Sequence, residues 1–150
     1  MKRVIIFFIF LGLHLNEYGQ VESKERASIF TVADEMPRFP GCEQSEYDIK
    51  EKESCAQKLM LDDIYKNLKY PERAKKIKAE GVVVVQFVVN EFGDIENPQL
   101  ARSIGFGCDE EALRVVESMN EMKESWIPGK QRGEIVSVLY TLPIRFKLAK

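Results

Sequence analysis

The chain has 150 residues, 45% of which are hydrophobic, and 22 Lys and Arg against 24 Asp and Glu give it a formal net charge of −2. This length suits one domain with extensions, and the hydrophobic fraction is ordinary for a globular protein. The nearly balanced charge gives no support to nucleic-acid binding.

Residues 1–20 have the pattern of a secretory signal peptide. Lys2 and Arg3 precede an apolar run at 4–15, and polar or small residues follow it. A membrane-spanning helix needs about 20 apolar residues, so this run is short for an anchor. We predict export with cleavage near the end of this segment, and retention as an uncleaved anchor is the alternative.

Three cysteines, Cys42, Cys55 and Cys108, shape the next prediction. Export permits disulfide bonds, and Cys42 and Cys55 flank one charged loop, so we predict a bridge between them. The loop belongs to an extension at 21–56 that we expect to be irregular, apart from a brief strand at 29–32. Cys108 is then unpaired, and we interpret it as a small residue at the start of a helix, with a reactive thiol as the alternative.

We expect neither enzyme activity nor a cofactor. The only histidine, His14, lies in the predicted signal, so the exported chain would lack the base of Ser-His and Cys-His sites and any histidine ligand for a metal. Carboxylates follow Cys108 in sequence, and their charge disfavours a thiolate. We interpret the acidic run at 109–111 as favourable charge in the first turn of a helix.

The strongest structural signal is a strand at 82–89, VVVVQFVV. Both of its alternating faces are mostly apolar, which predicts a central strand covered on at least one side. The turn NEFGD at 90–94 follows, and Gly93 suits the left-handed conformation of a hairpin loop. A second strand at 95–101 contains Pro98, so we expect it to lie at an edge or to carry a bulge.

Helices and a last strand complete the predicted order of helix, strand, strand, helix, strand. A helix that starts near Ala56 must end before Pro71, and a short helix follows that proline. A further helix starts near Cys108 and carries one apolar stripe. Apolar residues alternate along 134–148, which predicts the last strand.

The apolar stripe should pack on one face of the valine strand. We predict contact with Val85 and Phe87, or with Val84 and Val88 if the other strand face meets the helix. The stripe consists of Ala112, Val115, Val116 and Met119.

Pro143 predicts which side of the last strand faces outward. Proline has no N–H, so it should not face a neighbouring strand, and alternation then turns the backbone groups of every second residue outward with it. We predict that this edge binds a partner peptide best over 137–141, and the alternative is that Pro143 only blocks aggregation. The predicted partner-binding residues are Ser137, Val138, Leu139, Tyr140, Thr141 and Arg145.

Six motifs occur in order along 70–146. They are YPERA at 70–74, the valine strand after Gly81, NEFG at 90–93, GCDEEA at 107–112, WIPGK at 126–130 and YTLPIRF at 140–146. As a set they resemble the carboxy-terminal domain of TonB, the energy transducer of Gram-negative bacteria, and the likeness covers about 57–148. The upstream FTV at 30–32 and MPRFPG at 36–41 resemble the segment before this domain in TonB-like proteins of Bacteroidota.

The resemblance implies a small α+β domain with a three-stranded antiparallel sheet and helices packed on it. It implies a periplasmic protein that grips the TonB box, a short extended peptide of an outer-membrane transporter, by adding it as a strand to the last strand. In full-length members, the inner-membrane proteins ExbB and ExbD supply the proton-motive work. For this chain, we expect any link to ExbB and ExbD to be indirect. A dimer formed by self-pairing of the same edge is the alternative.

Overall fold

The computed structural model of the chain describes residues 28–44 and 46–148, so the predicted signal at 1–20 lies outside the described residues. No helix in these two ranges is long and apolar enough to cross a membrane. The elements that follow confirm the predicted α+β class with a three-stranded antiparallel sheet. In chain order they are α1 (Ile49–Asn67), α2 (Glu72–Lys76), β1 (Gly81–Val89), β2 (Ile95–Arg102), α3 (Cys108–Ser118), a 3-10 turn (Met119–Glu121), β3 (Gly129–Gln131), β4 (Glu134–Val136) and β5 (Val138–Phe146).

β1 is the central strand, as predicted, and it pairs antiparallel with β2 on one side and β5 on the other. Val85 and Phe87 are fully buried and belong to the same core cluster as Val115, Val116 and Met119. The first of the two predicted registers is therefore confirmed, and the helices cover that face of the sheet. On the other face, Val84 is only half-buried.

α1 begins earlier than predicted, so the carboxyl end of the extension at 21–56 is helical rather than irregular. The Asp48 carboxylate accepts the Glu51 N–H at 2.9 Å, and the Glu51 carboxylate accepts the Asp48 N–H at 2.8 Å. This reciprocal capping box satisfies two N–H groups at the helix start. The prediction was wrong here because the charged run after Asp48 conceals the cap, and the buried residues that dock the helix, Met60 and Ile64, come later.

β2 is an outer strand and also carries a bulge, so both consequences predicted from Pro98 are confirmed. The register with β1 shifts between the pairs that involve Glu96 and Gln99, where Asn97 has a φ of 49°. The turn before β2 uses Gly93 with a φ of 83°. A side chain at that position would collide with the carbonyl oxygen of Trp126, so the glycine also permits a close approach of two backbones.

The single last strand predicted at 134–148 is wrong, because two separate strands occupy this range. β4 pairs with β3 in a two-stranded hairpin of its own, and β5 starts again at Val138 in the main sheet. The hairpin turns at Arg132 and Gly133, whose φ angles are 53° and 82°. Two left-handed residues in a row match the twist of a tight hairpin, but Arg-Gly lacks the Asn or Asp that usually marks this turn in a sequence.

Candidate partner-binding edge

β5 is the second outer strand of the sheet, and its alternate backbone groups point away from β1. The Leu139 N–H donates to the Phe30 carbonyl at 2.8 Å, and the Arg145 N–H donates to the Tyr65 hydroxyl at 3.2 Å. Because backbone direction alternates along a strand, Thr141 and Pro143 face the same side. The structure therefore agrees with the outward direction predicted from Pro143.

The six predicted residues do not form one exposed surface. Thr141 is exposed, and its hydroxyl accepts a hydrogen bond from the Gln86 side-chain amide at 3.1 Å across the open sheet face. Ser137 lies just before β5 and is 8% exposed, and the Val138 side chain is fully buried. Arg145 is exposed at the far end of the strand, and Leu139 and Tyr140 are half-buried. Of these, Leu139, Thr141 and Arg145, and the Ser137 carbonyl just before the strand, present backbone groups along the outer side of β5.

Sequence reasoning missed that this edge is partly occupied by the chain itself. The Phe30 N–H donates to the Ser137 carbonyl at 2.9 Å, and the Phe30 carbonyl accepts from Leu139. Together these bonds make an isolated parallel bridge opposite Val138, and the strand predicted at 29–32 reduces to this bridge. The β-branched and aromatic residues of FTV favour extended backbone, but nothing in this sequence specifies β5 as the neighbour.

The Tyr140 side chain packs in an aromatic cluster on the core side of β5. Its ring centroid lies 5.4 Å from that of Phe87 in a stacked arrangement and 5.3 Å from that of Trp126 in an edge-on one. Phe39, from the extension, meets Trp126 edge-on at 5.7 Å. Burial raises the pKa of the Tyr140 phenol, so this side chain stays neutral in ordinary buffers.

A groove of about 460 Å³ runs beside the outer edge of β5. The extension forms one wall, α1 forms the other, and β5 forms the floor, so a segment that pairs with β5 would also meet both walls. The lining of the groove includes Met36, Ala56, Met60, Leu139, Tyr140 and Thr141.

The extension wall is held in place by an ion network and a covalent bond. Arg38 is 5% exposed, and its guanidinium donates to Glu43 at 3.0 Å through two nitrogens and to Glu35 at 3.2 Å. Each guanidinium nitrogen donates one hydrogen bond to a carboxylate, and removal of either carboxylate would leave a buried charge less well paired. The predicted Cys42–Cys55 disulfide is present and ties the extension to α1.

Cys108 is unpaired and buried at the first position of α3, as predicted. Burial raises the pKa of its thiol, and the neighbouring Asp109 and Glu110 raise it further. The Asp109 carboxylate accepts the backbone N–H groups of Ile104 and Gly105 at 2.9 and 3.0 Å, so it organises the loop before α3. In the two described ranges, no group of three or more His, Cys, Asp or Glu side chains is placed to hold a metal ion.

The family model for the C-terminal region of the Gram-negative bacterial TonB protein matches residues 66–148, which is more than half of the 150 residues. The chain belongs to the TonB C-terminal domain family. The match includes every strand of the sheet as well as α2 and α3. It begins within α1, so the extension and the first part of that helix lie upstream of the family domain.

Two solution structures of the C-terminal domain of TonB from Helicobacter pylori are similar to this chain. The structure of residues 194–285 has 19% sequence identity, covers 63% of this chain and 95% of its own, and gives a TM-score of 0.49. The structure of residues 179–285 has 18% identity, covers 71% of this chain and 88% of its own, and also gives 0.49. No curated relative matches the chain.

Membership of the TonB family places the chain among protein-interaction domains that act in transport. Interaction with TonB-dependent outer-membrane transporters and a periplasmic location are typical of this family.

Proposed function

We propose that this chain is an exported, periplasmic domain that binds an extended segment of a TonB-dependent outer-membrane transporter as an additional strand on β5. The family supports the class of partner. The observation that carries the proposal is the outward backbone of Thr141, which faces a groove and, among residues 28–44 and 46–148, has no strand beside it.

Strand addition would begin at Thr141. One partner residue would accept its N–H and donate to its C=O, which is the main-chain recognition used in β-augmentation. Side chains alternate along a strand, so the adjacent partner residues would point to the face of Tyr140 rather than that of Thr141. On that face the groove offers Ala56 and Met60, so we expect the partner to place an apolar side chain there.

The test is capture of a transporter from an outer-membrane extract by the exported chain, with variants of the edge. Thr141→Pro removes the free outward N–H and leaves the bonds to β1 in place, so we expect about a tenfold loss of affinity, the effect of one or two hydrogen bonds. Mass spectrometry of the captured proteins should identify a TonB-dependent transporter. Undiminished capture by a folded Thr141→Pro variant would contradict strand addition on β5.

Two matched controls separate the edge from other effects of the substitution. Thr141→Val keeps the N–H and removes only the hydroxyl, so it should bind like the original chain. Leu100→Pro places a proline on the outer side of the other edge strand, because Leu100 lies opposite Val85, whose backbone groups bond with β5. Loss of capture by Leu100→Pro alone would move the binding site to β2.

Self-pairing of β5 in a homodimer is the alternative use of the same edge. Sedimentation of the purified chain with and without a captured transporter peptide separates the two. A monomer that forms a one-to-one complex supports strand addition. A stable dimer that Thr141→Pro dissociates supports self-pairing.

Export is part of the proposal because a periplasmic partner requires it. The basic start and short apolar run at 1–20 favour cleavage. Intact-mass measurement of the periplasmic protein should show loss of about the first 20 residues, the usual length of a signal peptide. Recovery of the full chain from the inner membrane would contradict this part.

A further inference from the structure

We propose that residues 28–32, which we call the arm, are a resident strand of the binding edge that a partner strand must displace. The inference rests on the proposed function and concerns the regulation of the same site. On this proposal, the arm already pairs with the first part of the β5 edge, and only a short section of that edge is open to a partner.

The arm occupies the first half of the edge. Phe30 uses both its N–H and its C=O on the outer side of β5, at Ser137 and Leu139. Neighbouring strands lie about 4.8 Å apart, so a second strand cannot enter the same position. The pairing predicted over 137–141 is therefore available to a partner only after Phe30 leaves.

The open section begins where the arm turns away. If the arm continued its parallel pairing, Val32 would bond with the Leu139 carbonyl and the Thr141 N–H. Instead the chain bends at Thr31 and Val32, and the Val32 side chain is 76% exposed. Within the described part of the chain, Leu139 and Thr141 thus offer one unfilled pairing position next to the occupied one, where a partner strand can start before the arm is displaced.

The arm is held weakly. Its described contact with the sheet is a single bridge rather than a ladder, and Ile29 is 55% exposed beside Phe30. A segment with few buried contacts and one pair of backbone bonds opens locally at low cost. Displacing it therefore requires little of the binding free energy of a partner.

The chain that follows the arm is fixed. Glu35 and Lys130 exchange two backbone hydrogen bonds, at 3.0 and 2.9 Å, and Arg38 and Ile127 do the same, at 2.9 and 2.8 Å. Phe39, the Arg38 ion network and the disulfide at Cys42 continue this attachment. A released arm therefore stays close to β5 at a high effective concentration and competes with a partner for the edge.

The experiment compares the exported chain with Phe30→Pro, which removes the N–H that bonds to Ser137. Val32→Pro is the matched control, because it places the same residue on the arm where no described bond reaches β5. Amide hydrogen exchange at Leu139 should rise about tenfold in Phe30→Pro, the factor expected for one or two lost hydrogen bonds, and stay unchanged in Val32→Pro. Unchanged Leu139 exchange in a folded Phe30→Pro variant would overturn the proposal.

The probe for the freed edge is a synthetic peptide with the sequence of residues 28–34, SIFTVAD. At millimolar concentration it should shift the amide resonances of Leu139 and Thr141, with about tenfold tighter binding to Phe30→Pro than to the original chain or Val32→Pro. Equal binding to all three proteins would contradict competition by the arm.

The original chain supplies a second test that needs no variant. In low denaturant, the Leu139 amide should exchange by a local opening, whereas the Leu142 amide, which bonds with β1, should exchange by global unfolding. Exchange of both amides only by global unfolding would overturn the proposal. None of these measurements uses a transporter, so their failure leaves the capture experiment untouched, and a failed capture leaves the resident strand untouched.

Discussion

The two outer strands of the sheet are protected from unwanted pairing in different ways. β2 is protected by its own sequence, since Pro98 and the left-handed Asn97 break the register in the middle of the strand. Asn120, in the 3-10 turn after α3, adds a cap from outside the strand, because its side chain bonds both the N–H and the C=O of Ile95, at 2.7 and 2.8 Å. β5 pairs with β1 without a register shift, and distant parts of the chain cover its outer side.

This difference decides which edge can change state. A bulge cannot be removed without rebuilding the strand, so β2 is poorly suited to regular pairing along its whole length. The covers of β5, the Phe30 bridge at one end and the Tyr65 hydroxyl at the other, can leave while the strand stays intact. The regular strand with removable covers is therefore the one suited to receive a partner.

The largest effect should follow from a charge in β1, because both edges depend on this strand. The Val85 side chain is fully buried among apolar residues, and an unpaired buried charge costs several kcal/mol. We expect Val85→Asp to abolish the folded state, because domains are stable by only about 5–15 kcal/mol. Val84→Asp, on the half-buried face, is the control and should fold with a lower melting temperature. Normal thermal unfolding of Val85→Asp by circular dichroism would refute the buried face.

Loss of the disulfide should have the next largest effect, and it should act on the cover of β5 rather than on β2. Cys42 and Cys55 are separated by 13 positions. Closing a loop of this size contributes about 3 kcal/mol in the chain-entropy account. Replacing both with Ala should lower the free energy of unfolding in urea by about this amount.

The control for the disulfide is Cys108→Ala, which should keep the response to reductant because Cys108 is unpaired. The double variant should show no such response. If reductant still destabilised the double variant, another sulfur chemistry would have to be present.

Acid should loosen the extension that walls the groove and leave the cap of β2 unaffected. Hydrogen bonding from Arg38 lowers the pKa of the Glu43 carboxyl below its ordinary 4.5. A carboxyl with a lower pKa in the folded state stabilises that state above its unfolded pKa, and the contribution is lost as the pH falls through the folded value.

The free energy of unfolding should therefore decrease as the pH falls below about 5, and Glu43→Gln should weaken this dependence. Urea titrations at neutral and acidic pH measure both. An identical pH dependence in the two proteins would assign the acid response to other carboxylates.

The smallest effects should come from the caps themselves. Asn120→Ala removes two hydrogen bonds from β2 and should cost about 1–2 kcal/mol, whereas Tyr65→Phe removes one from β5 and should cost about 0.5–1 kcal/mol. Hydrogen exchange should accelerate at Ile95 in the first variant and at Arg145 in the second. If Tyr65→Phe left Arg145 protected, the Tyr65 hydroxyl would not be a cover of β5.

The sequence by itself determined the features that depend on near neighbours and on periodicity. The valine run predicted the central strand, Gly93 predicted the hairpin turn, and Pro98 predicted an irregular edge. The stripe along α3 predicted that this helix packs on one face of the valine strand, but it left open whether that face holds Val85 or Val84. Pro143 alone predicted which backbone groups of β5 face outward. Because proline has no N–H to pair inside the sheet, its position indicates which alternate residues point away from β1.

Only the tertiary structure decided what covers those outer groups. Phe30 and Tyr65 reach β5 from distant parts of the chain, and neither has a local pattern that names its partner. The β3–β4 hairpin was missed because its strands are short and its Arg-Gly turn is a weak signal, and the start of α1 was missed because its cap lies among charged residues. Local patterns in the sequence indicate which backbone groups of an edge strand have no partner within the sheet. Which distant group hydrogen-bonds with them depends on the path of the chain in the folded protein.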